Sequence, residues 1–350
     1  MRIEISGLVS YPPSCPNRDE TNRPKTAVFG GHQRQRISSQ SLKRAWRLSA
    51  PMQAVDASFS TRTRRLGYIV QERLLAAGMA EKLAAETSAK IVAGFGSPDK
   101  KDKLLTSEVV VLGPEELAAV EALLAQLAAK NRAPTEGELE ALERPTQALD
   151  VALFGRMRAD NKAVGVEATA SVAHALTTNA VRIEDDFWTA VDDLNVADTG
   201  AAGMGEVEFG AGVYYVYAVV DVDALVKNLG GHREAAARGV EGLVEAIATV
   251  TPGGHRSTFA HHSLARYLRL DVGEQAPCSL MAAFEVPVSG REMGLTQESI
   301  ERLEAYAEEV RLARRVQPRE TVIFNGPAHQ GSLNAVCEAA RAAMVAGRGA

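Results

Sequence analysis

Residues 36–47, RISSQSLKRAWR, bring together side chains that bind anions. Three serines and a glutamine precede three cations in this segment: Ser38, Ser39, Gln40, Ser41, Lys43, Arg44 and Arg47. Hydroxyls, amides and cations hold phosphate or carboxylate oxygens, and the free N–H groups at a helix start do the same. The segment is therefore a candidate anion site.

The charge distribution points to the same region. The whole chain has a formal net charge of −5. Residues 17–47 contain eight cations and two acids, a net charge of +6, so the rest carries −11. A local excess of this size predicts an anion-facing surface near the N-terminus, although the chain as a whole is acidic.

The pattern around this segment predicts the elements that hold it. Alternating apolar residues predict a strand over 2–9, and Gly30-Gly31 predict a hairpin turn before a second strand, 33–37. Arg34 and Arg36 would then project from one face of that strand. A serine caps a helix that begins near Gln40. Lys43 and Arg47 share one side of this helix, whereas Leu42 and Trp46 share another, which favours a core position for Trp46.

The rest of the chain predicts an α+β protein. Residues 60–148 are rich in Ala, Leu, Glu and Lys with helical periodicity and are interpreted as an insertion. Strands are predicted at 213–222 and 281–288, and helices end near 250 and span 297–315. The glycine-rich stretch 199–212 is either flexible or approaches another backbone closely. This order is compatible with a split βαβ or ferredoxin-like sheet.

The composition excludes several classes of protein. With 350 residues and 46% hydrophobic residues, the chain is long and apolar enough for one elaborated domain or two. Its three cysteines lie far apart and form no metal pattern, which indicates a reducing cytoplasm and no cofactor. No apolar run approaches the roughly 18 residues of a membrane span.

From the residues alone, two interpretations of the basic segment stay open. One is a solvated helix face. The other is a bound polyphosphate backbone of RNA or DNA, since a single phosphate would not need so many cations.

Several longer segments resemble one known family. They are PSCPNRDETNRPKTAVFGGHQRQRISSQSLKRAWR (13–47), ALFGRM (152–157), SVAHALTTNAVRIEDDFWTAVDDL (171–194), EFGAGVYYVYAVVDVDALVKNLGG (208–231) and PGGHRSTFA (252–260). Together they resemble the backbone subunit of the type I-E CRISPR surveillance complex Cascade, the CasC family. The resemblance covers most of 1–290 and is weak in 60–148 and beyond about 290.

The resemblance implies a fold. It is a modified RNA-recognition-motif (ferredoxin-like) palm with a helical fingers insertion and a β-hairpin thumb. The expected bounds are palm 1–59, 149–182 and 213–350, fingers 60–148, and thumb 183–212.

The resemblance also implies a non-catalytic scaffold in the cytoplasm. Copies of the chain would stack along CRISPR RNA (crRNA), hold it for pairing with target DNA, and flip one base outward at regular intervals. The implied partners are further copies of itself, the large and small Cascade subunits, the crRNA 5′-end cap subunit, the crRNA-processing endonuclease subunit and a recruited helicase-nuclease. No cofactor, metal or membrane is implied.

Matching positions supply the expected site. The residues expected to contact crRNA are Arg18, Lys25, Ser38, Gln40, Lys43, Arg47, Met157, Trp188 and Met204. Lys100, Lys101 and Lys103 are a possible DNA contact, with a solvated loop as the alternative. His255 and Arg256 could approach the RNA, Arg44 would face solvent or a neighbouring subunit, and for Phe187 a core position is at least as well supported.

Two other functions stay open. Related backbone subunits of type III complexes cleave target RNA with a loop aspartate, and Asp19 lies in a corresponding loop. A single acid without a clustered partner is a poor site for a two-metal reaction. The other alternative is a free-standing, sequence-specific RNA-recognition protein.

Overall fold

The computed structural model describes residues 1–158, 162–194 and 203–346, and these form two compact units. Unit 1 comprises Met1–Asp56, Ala170–Asp223 and Arg233–Ala350, and unit 2 comprises Ala57–Thr169 and Ala224–His232. No helix in the described ranges is long and apolar enough to cross a membrane.

The strands are β1 Arg2–Ser14, β2 Thr26–Phe29, β3 His32–Ile37, β4 Thr61–Thr63, β5 Val110–Leu112, β6 Ala170–Val172, β7 Ala175–Thr177, β8 Glu184–Ala190, β9 Gly203–Asp221, β10 Ala265–Gly273 and β11 Glu320–Asn325. The helices are α1 Ser39–Arg47, α2 Ala50–Gln53, α3 Leu66–Ala76, α4 Glu81–Phe95, α5 Pro114–Lys130, α6 Glu136–Glu140, α7 Leu149–Phe154, α8 Val222–Asn228, α9 Arg233–Thr249, α10 Arg256–Phe259, α11 Leu295–Arg314 and α12 Leu333–Ala346. The α+β prediction is confirmed.

Unit 1 is built on an antiparallel sheet with the order β11-β10-β1-β9-β7-β3-β2, and β6 and β8 pair additionally with β9. Since β9 and β10 are both antiparallel to β1, they run parallel to each other with β1 between them. Likewise, β1 and β7 are both antiparallel to β9 and run parallel to each other with β9 between them. β9 and β10 are joined by α8, α9 and α10, whereas the connection from β1 to β7 contains α1 to α7 together with β2 to β6. The strand order is that of two interleaved split βαβ units.

Both faces of the central strands are buried. On one face Gly7 lies close to Ile247 of α9, and α9 and α12 cover β1 and β10. On the other face Leu8, Tyr215 and Tyr267 pack with Leu303 of α11. The predicted strand 281–288 is wrong, because Leu280–Phe284 form a 3₁₀ helix whose Phe284 joins this second cluster. A short apolar run does not distinguish a strand from a buried helical turn.

The predicted β2–β3 hairpin is present, with positive φ at Gly30 (60°) and Gly31 (76°). Gly30 is required there for a second reason. A Cβ on it would lie 1.8 Å from the carbonyl oxygen of Glu285, so no side chain is tolerated. The hairpin therefore packs directly on the backbone of the segment that follows the 3₁₀ helix.

Arg34 is where the expectation for this hairpin fails. It does not face an anion but is completely buried. Its guanidinium donates to the carbonyl oxygens of Thr177 (2.9 Å), Thr178 (2.7 Å) and Phe284 (2.6 Å). The strand pattern identified the face correctly but could not show that α11 and the 3₁₀ helix cover it.

A two-stranded ribbon of β8 and the first part of β9 leaves the sheet, pairing Glu184 with Phe209 through Ala190 with Gly203. The tip of the expected thumb, 195–202, lies outside the described residues. Further along the glycine-rich stretch, Gly210 and Gly212 approach the side chains of Gln35 and Asn179 closely. The close neighbours of Gly205, Gly210 and Gly212 are thus side chains, and not the other backbone that the second alternative named.

Unit 2 has its own apolar core. Leu66, Val70, Ile91, Phe95 and Leu127 from α3, α4 and α5 lie within it. Buried Arg156 pairs with Glu116 at 2.6 Å and also donates to the carbonyl oxygen of Val164 (2.8 Å), so this internal charge is compensated. Residues 149–169 belong to this unit, whereas the expected bounds assigned them to the palm.

Replacing Arg34 tests its structural role. Arg34→Met keeps the side-chain length but removes the hydrogen bonds that the guanidinium donates to four carbonyl oxygens, of which that of Thr178 keeps a bond from the Val288 N–H. We therefore expect a loss of about 3–5 kcal/mol in the free energy of unfolding. Chemical denaturation followed by circular dichroism measures this. Arg36→Met, on the same strand but only half-buried, is the control and should cost much less; an equal loss would contradict the assignment.

Candidate nucleic-acid interface

The basic helix α1 starts from a capped N-terminus. Ser38 is buried, and its hydroxyl accepts a hydrogen bond from the backbone N–H of Ser41 (3.3 Å). The Asn17 side chain accepts from the Ser38 N–H at 2.8 Å, which ties the preceding loop to the helix. Gln40 is exposed at the same end. The site residues of α1 are thus fixed relative to the loop 15–25.

The cationic side chains of α1 separate as the periodicity predicts. Lys43 and Arg47 are half-buried and lie one turn apart, whereas Arg44 is exposed. Trp46 is 1% exposed and Leu42 is buried beside it, which confirms the core position of Trp46. The tryptophan anchors the helix, so its opposite side presents the cations.

A second group of cations lies at the sheet edge that leads into α1. An Arg36 Nη is 2.8 Å from Nδ1 of His174, and since a guanidinium only donates, that imidazole nitrogen accepts. Partial burial and the charges of Arg36 and Lys25 lower the pKa of His174. Two permanent cations and a neutral histidine therefore share one surface. His174 has no spacing signal and was missed.

Arg18 lies in the loop before β2. Its Nη1 donates to Oδ1 of Asn22 (2.6 Å) and lies 3.2 Å from Nε2 of His255. Partial burial and the charge of Arg18 lower the pKa of His255. By contrast, the Arg23 guanidinium pairs with Glu208 (Nε–Oε1, 2.6 Å), so its charge is neutralised by the base of the hairpin. The loop thus keeps one exposed arginine and uses the other as a tether.

Asp19 shapes the same loop. Its Oδ1 accepts hydrogen bonds from the N–H (2.9 Å) and the hydroxyl (2.8 Å) of Thr21 and from the N–H of Arg23 (3.0 Å). These bonds, that of the Thr21 side chain first, lower the pKa of Asp19. The carboxylate therefore closes a turn. Within the described ranges, no group of three or more His, Cys, Asp and Glu residues could hold a metal ion.

The β8–β9 ribbon exposes large apolar side chains on both faces. Trp188, 47% exposed, lies opposite Gly205, and a Cβ on Gly205 would come within 2.8 Å of the indole. Met204 pairs with Thr189, one position along, so it points to the other face. Phe187 shares the face of Met204 and is 60% exposed, so the core interpretation of Phe187 is wrong. The ribbon does not bring Trp188 and Met204 together.

The remaining expected residues lie in unit 2. Met157 is 93% exposed next to buried Arg156. Lys100, Lys101 and Lys103 are exposed, while the neighbouring acids are used internally: Asp99 binds Arg64 (2.9 Å) and Asp102 accepts from the Tyr68 hydroxyl (2.6 Å). The loop therefore presents its lysines.

Segment 251–264 packs against the loop 15–25. A Cβ on Gly254 would lie 2.5 Å from the carbonyl oxygen of Pro16, so the two backbones are in direct contact. His261 is fully buried, its Nε2 lies 3.2 Å from the carbonyl oxygen of Pro252, and its Nδ1 has no hydrogen-bond partner among the described residues. Burial lowers the pKa of His261.

Comparison with known proteins gives a consistent result. The family model described as CT1975-like protein matches residues 3–343. A chain of a "CRISPR RNA-guided surveillance complex, pre-nicking" is 28% identical with a TM-score of 0.83, covering 98% of this chain and 100% of that one. A chain of a second "CRISPR RNA-guided surveillance complex" is 25% identical with a TM-score of 0.74 over the same shares. No curated protein sequence matches.

Because His261 is buried, we expect the folded chain to lose stability in acid. Its pKa is lower in the folded chain than the ordinary value of about 6.5, so the unfolded chain binds more protons below that pH. Stability is therefore complete above about pH 6.5 and falls by at most about 1.4 kcal/mol per pH unit as the pH drops toward the folded pKa. Urea unfolding at pH 7.5, 6.5 and 5.5 measures the effect. His261→Gln should flatten the dependence, and exposed His232→Gln should not; identical curves for all three proteins would refute it.

Proposed function

Because the chain belongs to the CT1975-like protein family, we propose that it is a crRNA-binding backbone subunit of a Cascade-type CRISPR surveillance complex, of type I-E. The two similar solved chains come from RNA-guided surveillance complexes and are covered over their whole length. The proposal concerns the role within such a complex.

The observation that carries the proposal is the group of cations around the start of α1. Arg36 and Lys25 lie close enough to His174 to lower its pKa, and the capped N-terminus of α1 follows directly. Like charges repel, so such a group is stabilised when an anion lies on it. Lys43 and Arg47 extend it along the helix, and Arg18 extends it along the loop. A chain of phosphates satisfies several separated cations at once.

The chemistry of this surface suits a guide of any sequence. Hydroxyls and cations bind phosphates without reading bases, and exposed Trp188, Phe187 and Met204 can stack on or separate bases of any type. A subunit that carries variable guides requires this lack of base readout. The same argument disfavours a free-standing, sequence-specific RNA-recognition protein.

The two units and the β8–β9 ribbon correspond in order to the three parts that the resemblance implies. We propose that unit 1 is a palm related to the RNA-recognition motif through its two split βαβ units, that the β8–β9 ribbon is the thumb, and that unit 2 is the fingers. Copies would polymerise along crRNA, beside the other Cascade subunits and a recruited helicase-nuclease. Lys100, Lys101 and Lys103 remain a proposed DNA contact, and Met157 a proposed base contact.

The subunit is proposed to be non-catalytic. Asp19 is the candidate acid for RNA cleavage, but three hydrogen bonds engage its Oδ1 in the turn. Its position is explained by loop structure, without a reaction.

Removing the helix cations should weaken RNA binding regardless of sequence. Lys43→Ala with Arg47→Ala removes two phosphate contacts, so for single-stranded RNA the slope of log affinity against log salt should fall by about 1.4. Fluorescence anisotropy with several unrelated single-stranded RNAs measures this.

The matched control is Arg44→Ala with Arg319→Ala, which removes two exposed charges from other surfaces. It should leave the slope almost unchanged. Loss of affinity for only some RNA sequences would contradict phosphate binding and favour a sequence-specific protein.

Asp19 variants separate turn formation from catalysis. Asp19→Asn keeps an oxygen that accepts the turn's hydrogen bonds, so RNA binding should stay at the wild-type level, whereas Asp19→Ala should weaken it about two- to fivefold by loosening the loop that carries Arg18. The assembled complex, incubated with complementary RNA and Mg²⁺, should leave that RNA intact. Periodic cuts that vanish in Asp19→Asn would show a metal-dependent endonuclease instead.

A further inference from the structure

A groove of about 390 Å³ lies in unit 1 between the start of α2 and the segment 249–264. Ser49 and Pro51 line one side, and Arg256, His262 and Leu264 line the other. None of its lining residues is a carboxylate. In a chain with a net charge of −5, a groove with a permanent cation, a histidine and no acid is selective for an anion.

The polar groups of the groove fall into two classes. Its buried hydroxyls are engaged: that of Ser49 donates to the carbonyl oxygen of Trp46 (2.6 Å), and that of Thr251 accepts from the Ser263 N–H (3.3 Å). The side chains of Arg256 and His262 are exposed and make no hydrogen bond or ion pair with another residue in the described ranges. The walls are thus fixed, while the donors stay available.

The segment that carries these donors is held in a costly conformation. His255 and Ala260 both have φ of 47°, in the left-handed region, on either side of the short helix α10. Such residues are strained and persist only when packing enforces them. Here the backbone contact of Gly254 with Pro16 and the ring contact of Phe259 with Phe209 (5.7 Å) supply that packing.

The elements that line the groove are connected to the proposed RNA surface by two contacts. Ser49 follows Arg47 by two residues, and the Gln53 side chain donates to the carbonyl oxygen of Arg47 (2.8 Å), which fixes the end of α1 against α2. On the opposite side of the segment, His255 lies 3.2 Å from Arg18. The groove is thus tied to α1 through α2 and to the loop 15–25 through His255.

We infer that this groove binds a backbone phosphate of the same single-stranded RNA that α1 holds, with Arg256 and His262 as donors and with Leu264 and Pro51 against the sugar or base. The inference rests on the proposed function and extends it by a second phosphate position. The groove is far larger than one water-sized ligand of about 30 Å³, and apolar walls beside cations suit a nucleotide better than a free inorganic ion.

The test combines Arg256→Ala with His262→Ala in the full chain. Its matched control, Arg291→Ala with His232→Ala, removes the same side-chain types from exposed positions elsewhere. Binding of a 16-nucleotide oligouridylate is measured across a salt series, after circular dichroism shows that both variants fold. Loss of one or two phosphate contacts should lower the salt slope by about 0.7 to 1.4 in the groove variant only. Combined with Lys43→Ala and Arg47→Ala, the losses in slope should add, because the two sites hold different phosphates.

Three outcomes would overturn the inference. An unchanged slope in the groove variant, with wild-type binding intact, would reject the groove and leave the proposed function standing. Weakened binding of single-stranded DNA without any change for RNA would assign the groove to another strand. Absence of RNA binding by the wild-type chain would reject both proposals, and Lys43→Ala with Arg47→Ala, which acts on α1 alone, separates the two failures.

Discussion

The buried guanidinium of Arg34 is the contact on which the rest of unit 1 depends. It gathers carbonyl oxygens from the end of β7 and from the 3₁₀ helix, two parts of the chain that are distant from β3 in sequence. A charge removed from water is tolerated only where oriented dipoles surround it, so those backbones must converge on Arg34. The convergence fixes β3, and because α1 begins two residues after β3 ends, it also fixes the direction in which the cations of α1 point.

The position of the candidate interface follows from what covers the sheet. In an RNA-recognition motif, bases stack on an open face of the sheet. Here that possibility is closed, since α11 and the 3₁₀ helix bury Tyr215, Tyr217 and Tyr267 on one face while α9 and α12 bury the other. The cations of the proposed surface lie instead at one edge of the sheet, where β2, β3, the loop 15–25 and the start of α1 meet. The proposed RNA surface therefore lies beside the sheet and consists of helix and loop residues.

The sequence predicted local features well and long-range ones poorly. The β2–β3 turn, the serine cap of α1, the separation of Lys43 and Arg47 from Trp46, and the α+β class all follow from spacing and periodicity. Arg34 and Arg23 were counted with the anion-binding cations because a sequence does not show which charges find an internal partner. No sequence pattern identifies three further residues, His174, Asn17 and His262. Strand pairing and loop packing bring them to the proposed RNA surface and its groove. Phe187 was misjudged because aromatic residues are usually buried, whereas all residues of β8 are exposed.

The two-sided exposure of the β8–β9 ribbon has a thermodynamic consequence. An isolated two-stranded ribbon is marginally stable in water, and every residue of β8 is exposed. The ribbon is held by the backbone hydrogen bonds between β8 and β9 and by the contact of Trp188 with Gly205. The free energy needed to separate its two strands is therefore low. Any surface that covers Trp188 on one side or Phe187 and Met204 on the other adds apolar burial and reduces the conformational entropy that the ribbon still retains. Association with such a surface and the final ordering of this element are therefore thermodynamically linked.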